Sequence, residues 1–180
     1  MLELLGEDAS VPGGRIISPK VKPPAGTGGV GLLNVLGAEL AFADRLKIER
    51  EFVMLDGAAS KVVFNVANLA PFVAMKADAY LDRRKAKDAY DLIYVLRWWD
   101  GGPSGAAMAF LASPVAGDAF VTSALARITR DFADAGRVGP VDYASLARPY
   151  GAPDEIATAC NEAVAVWSAF VRGVTDGVTL

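Results

Sequence analysis

The chain has 180 residues, 53% of them apolar, with 18 basic and 21 acidic side chains and a net charge of −3. That length suits one well-buried core, and the near balance of charge excludes a global nucleic-acid footprint while leaving room for a local one. Histidine is absent and Cys160 is the single cysteine, which excludes disulfide frameworks, ordinary zinc sites and every histidine-dependent triad or base. Any chemistry must rest on carboxylates, lysine and arginine.

In chain order, the short apolar run from Met1 to Leu5 reads as a strand, and it carries Glu3. The first fourteen residues hold Glu3, Glu7 and Asp8 and no basic flank, so they do not read as a signal or transit peptide. A membrane span needs about 18 consecutive apolar residues, and the best run, from Gly105, stops at Ser113-Pro114. A cytoplasmic chain with no membrane partner is expected. Residues 6–31 are rich in glycine and proline and read as a long loop or meander in which no helix would survive. Within them Gly26-Thr27-Gly28-Gly29-Val30-Gly31 satisfies G-x-G-x-x-G, but Pro23-Pro24 stand where its strand should be.

Residues 38–43 and 46–55 read as strands, the second with Leu46, Ile48, Phe52 and Met54 on one face and Lys47, Glu49 and Glu51 on the other. Asp56-Gly57 turns the chain into a third β-rich run over 61–66. Residues 1–67 are thus expected to form a mostly antiparallel partial sheet.

The period changes at Asn68, a plausible N-cap followed by Pro71 in the first turn, with Leu69, Phe72, Val73, Tyr80 and Leu81 at helical spacing. This predicts a helix over 69–84. A second helix over 86–99 packs through Ala89, Leu92, Ile93, Leu96 and Trp99 and ends at Gly101-Gly102-Pro103. Further helices are expected around 104–111, 116–135, 141–148 and 153–171. The predicted class is α+β, with residues 68–180 a C-terminal helical bundle. Trp98-Trp99, at the end of an amphipathic helix, reads as core and rim packing rather than a base-stacking platform.

Lys76 falls on the inward face of its helix, four after Phe72 and four before Tyr80. A buried ammonium needs an anionic partner, either a carboxylate or a bound anion such as a phosphate. Asp88 and Asp91 share a face at the start of the next helix, where the macrodipole favours negative charge. The same residues permit a plain structural ion pair between two helices.

The segment Leu69-Ala70-Pro71-Phe72-Val73-Ala74-Met75-Lys76, followed by Arg83-Arg84-Lys85-Ala86-Lys87-Asp88-Ala89-Tyr90-Asp91-Leu92, resembles the AbiEii/AbiGii nucleotidyltransferase toxins of type IV toxin-antitoxin systems. The likeness covers residues 38–99. It implies a nucleotidyltransferase-like fold and magnesium-dependent transfer of a nucleotide from an NTP to RNA, including tRNA 3′ ends. By the resemblance Lys76 binds the nucleotide phosphates, Asp91 is the late-motif carboxylate with Asp88 in support, and Arg84, Lys85 and Lys87 lie near the triphosphate or an RNA backbone. A cognate antitoxin is the implied protein partner.

The family's upstream Gly-Ser motif and metal-holding D-x-D pair do not occur before Lys76. The chain therefore reads as the C-terminal two-thirds of such a domain, with Glu3 the one match for a strand carboxylate that would ligate magnesium. The rival reading is a truncated or degenerate, non-catalytic module that binds a nucleotide or an antitoxin.

Overall fold

Glycine at position 37 decides how the body begins. Its φ of +81° suits a residue without Cβ, and a Cβ there would lie 2.6 Å from the Phe120 ring. The next six residues, Ala38–Ala43, form helix α1 rather than the expected strand. Alanine, glutamate and leucine are good helix formers, and so short an apolar run does not separate strand from helix. What decides it is distant in sequence: the Glu7 carboxylate accepts hydrogen bonds from the N–H groups of Gly37 and Glu39, satisfying donors that a helix start leaves open.

The computed structural model describes residues 5–8, 10–17 and 32–177. Glu3, Met1 to Leu4 and the G-x-G-x-x-G run lie outside the described residues. Before α1, strands β1 (Leu5–Gly6), β2 (Ile16–Ile17) and β3 (Leu32–Asn34) form a small mixed sheet with β3 central, parallel to β1 and antiparallel to β2. Buried Asn34 holds the loop between β1 and β2. Its Oδ1 accepts from Asp8 N–H, and its Nδ2 donates to the carbonyls of Asp8, Val11 and Pro12. One side chain thus satisfies backbone groups that would otherwise be stranded.

β4 (Arg45–Val53) and β5 (Ala59–Ala67) pair antiparallel in register from Arg45↔Ala67 to Val53↔Ala59. The expected apolar face exists, but it is not buried. Leu46, Phe52, Val62, Phe64 and Val66 all remain exposed, and Ile48 is only half-buried. The first third is therefore two separate small sheets and a helix, not one antiparallel sheet.

Seven helices make the described residues mostly helical, and the class is α+β. After α1 come α2 (Leu69–Arg83), α3 (Ala86–Trp98), α4 (Gly102–Leu111), α5 (Ala119–Thr129), α6 (Val138–Ala147) and α7 (Pro153–Gly177), with a 3-10 turn at Arg130–Phe132 after α5. The element expected over 116–135 is α5 plus this turn. Asn68 caps α2, accepting from Leu69 N–H, while its Nδ2 donates to Asp44. Ser113 donates to the other Asp44 oxygen. This knot ties the foot of the hairpin, the start of α2 and the end of α4.

The core lies between the helices. Phe132 stacks on Trp167 with centroids 5.2 Å apart, and Phe170 meets Phe110 edge-on at 5.6 Å. From α2, Leu69, Val73 and Tyr80 are buried, and from α3, Ala89, Leu92, Ile93 and Leu96. Trp99 packs against this core, whereas Trp98 is exposed beneath the Arg97 guanidinium. Among the described residues, no helix is long and apolar enough to cross a membrane.

Candidate functional site

α2 ends in a single left-handed residue, Arg84 at φ +50°, and the chain reverses at once into α3. This tight reversal lays the third turn of α2 beside the first turns of α3. It brings the inward face of α2, with Lys76, against the inward face of α3, with Asp88 and Asp91. Lys76 Nζ lies 2.6 Å from Asp91 Oδ2 and 3.2 Å from Asp88 Oδ1.

Asp88 is buried and doubly forked. Arg83 donates Nε–H to its Oδ2 at 2.7 Å and Nη2–H to its Oδ1 at 2.8 Å, a bidentate guanidinium-carboxylate pair. Asp91 Oδ2 also accepts from Lys87 at 2.8 Å, one turn earlier on α3. Three cations therefore face two carboxylates. Burial by itself would raise the Asp88 carboxyl, but the bonds from Arg83 and Lys76 outweigh it and hold it below the ordinary carboxylate range. Asp91 has the same outcome: burial raises it, while the bonds from Lys76 and Lys87 bring it lower.

Lys76 stands at the wall of a cleft of about 770 Å³. Helix α2 supplies Phe72, Met75, Leu81 and Arg83, and the opposite side is the Pro12–Gly14 loop with residues 33–36. Arg127 of α5 also lines the cleft, paired with Asp78 at 3.3 Å. The arrangement offers a mostly apolar bed whose charged lining is Lys76, Arg83 and Arg127 together with the carboxylates of Asp78 and Asp82. It can hold an anionic group at Lys76, provided that the group competes with the carboxylates already there.

The other basic candidates lie elsewhere. Arg84 pairs with Asp131 and lies over the Tyr80 ring, with its guanidinium carbon 5.3 Å from the centroid. Lys85 caps α3 through its backbone without a side-chain bond, and neither residue lines the cleft. Lys87 touches the site only through Asp91. The cleft cations that the motif did not single out are Arg83 and Arg127. Arg83 stands beside Arg84 in sequence, and only the left-handed turn decides which of the two looks inward; Arg127 has no local signal at all.

A second polar pair lies between α2 and α6, where Tyr80 donates its hydroxyl to Asp142 at 2.7 Å. Burial, then the bond and charge of Asp142, push the phenol well above its usual range. It is a neutral donor at any ordinary pH. Comparison with protein-family models, curated proteins and solved structures returned no match for this chain.

Proposed function

We propose that the cleft beside Lys76 binds a nucleoside triphosphate, and that the chain serves nucleotide transfer to an RNA acceptor such as tRNA, as a toxin held in check by an antitoxin. The observation that carries this is Lys76, which lines a mostly apolar cleft while its ammonium bridges Asp88 and Asp91, neither of them a lining residue. The spacing of the motif supports it too. In this reading the apolar bed takes the base and sugar. Lys76 takes phosphate oxygens, and Arg83 adds a second donor while keeping Asp88 ionised.

Asp88 and Asp91 do not, as arranged, fit a magnesium ion. Both Asp88 oxygens and Asp91 Oδ2 are occupied by Lys76, Arg83 and Lys87, and no group of three His, Cys, Asp or Glu suited to a metal gathers among the described residues. Magnesium enters the proposal only as the counter-ion of the triphosphate, with phosphate oxygens and water as its ligands. The residues of this chain bind and orient the anion.

The engagement of both carboxylates by cations of this chain favours a second reading, a non-catalytic module that binds a nucleotide or an antitoxin. Calorimetric titration with NTPs, with and without magnesium, on the chain and on Lys76→Ala tests the first element of both. Transfer of label from NTP to bulk tRNA, lost in Lys76→Ala, supports the enzyme; binding without transfer supports the module. If no nucleotide binds the chain, the nucleotide reading fails.

A further inference from the structure

The outer edge of β4 carries a charge order that selects a partner. Within the hairpin, Met54 N–H donates to Ala58 O and Asn68 N–H donates to Asp44 O, both in the register of the β4–β5 ladder. Bonded pairs alternate along an antiparallel ladder, so the even-numbered residues of β4 turn their N–H and C=O groups toward β5. The odd-numbered residues Arg45, Lys47, Glu49, Glu51 and Val53 turn theirs outward. Among the described residues no strand pairs with that edge.

The outward charged residues run positive, positive, negative, negative, and the sign changes at Ile48. An antiparallel second β4, related by a two-fold axis through Ile48, sets Arg45 opposite the second copy's Glu51 and Lys47 opposite its Glu49. All four are outward-bonding positions, so backbone phase and charge agree on one register. A slip by one step of the ladder in either direction sets Glu49 against Glu49, or Lys47 against Lys47. Charges on an edge strand usually discourage pairing. Here their order gives the Ile48-centred register four opposite-charge pairs, while either neighbouring register keeps only two and adds a like-charge pair.

The two ends of the hairpin add an independent observation. Its tip carries exposed Val53, Met54 and Leu55, and its foot carries Phe42, 68% exposed on α1. Within one copy the length of β4 separates them. The Ile48-centred register brings the apolar tip of each hairpin to the foot of the other, where α1 carries Phe42. It also turns a two-stranded ribbon, marginal by itself in water, into a four-stranded sheet.

We propose that the chain forms a two-fold homodimer by antiparallel pairing of β4 with the β4 of a second copy, centred on Ile48. Sedimentation velocity on the whole chain over a concentration series tests it. The expected result is a dimer that weakens with salt, is weakened about tenfold or more by Lys47→Glu, and is restored by the charge swap Lys47→Glu with Glu49→Lys. Glu49→Pro removes an outward N–H and the exposed ion pair of Glu49 with Lys61 but no backbone bond to β5, and should give a monomer with unchanged helical circular dichroism. A wild-type chain that stays monomeric at its highest soluble concentration overturns the proposal. So does a dimer indifferent to Lys47→Glu, and the swap decides the matter even if the proline variant fails to fold.

Discussion

Arg83 and Asp88 form a bidentate pair across the α2–α3 reversal, with bonds of 2.7 and 2.8 Å, and the carboxylate is buried while the guanidinium is half-exposed. Asp88 is thus held by two cations of α2, and Asp91 by Lys76 of α2 and the exposed Lys87 of its own helix. The two carboxylates of the motif have unequal structural weight, although the sequence presents them as equivalent.

Replacing Asp88 by Asn is therefore expected to cost about 1.5–3 kcal/mol, because charged hydrogen bonds to Lys76 and Arg83 are lost in a buried site. Asp91→Asn, at the solvent-facing end, should cost less than about 1 kcal/mol. Urea unfolding followed by circular dichroism measures both. Equal losses would show that the burial of Asp88 does not govern the pair.

Both carboxyls titrate below the ordinary carboxylate range. A depressed folded-state value means that the unfolded chain takes up protons first as pH falls. The stabilisation is fully present above about pH 4, where unfolded Asp is ionised, and is lost as the pH drops through the folded values. The wild type should lose stability more steeply than Asp88→Asn below that pH, and the two should run parallel from pH 5 to 7. Urea midpoints at half-unit intervals are the measurement.

Arg83→Gln and Arg84→Gln separate the cleft from its neighbourhood. Arg83 lines the cleft and Arg84 pairs with Asp131. On the proposed function, Arg83→Gln weakens triphosphate binding about tenfold, the loss of one charge-assisted contact, and Arg84→Gln changes it by less than about twofold. Calorimetric titration decides it. A larger effect at Arg84 would move the anion site to the other side of the α2–α3 turn.

Gly37→Ala should destabilise the chain by about 2–4 kcal/mol, combining left-handed backbone strain with an overpacked contact on Phe120. Thermal unfolding gives the comparison. A shift of less than about 2 °C would mean that the α1 entrance relaxes freely.

Helical spacing alone located α2 and α3, their buried residues and the shared faces of Lys76, Asp88 and Asp91, because amphipathic periodicity and caps are local signals. The hairpin strands were legible for the same reason, through alternation and an Asp-Gly turn. Tertiary structure alone decided the rest. Residues 38–43 became a helix because Glu7, far away in sequence, caps it, and short apolar runs have no preference strong enough to resist that. Alternation marked the apolar face of β4 without saying what covers it, and no described element does. Which arginine of the Arg83-Arg84 pair faces the carboxylate, and that Arg127 joins the cleft, depended on one left-handed turn and on the packing of α5 against α2. Neither leaves a periodic trace, since each is a relation between distant segments rather than a property of either.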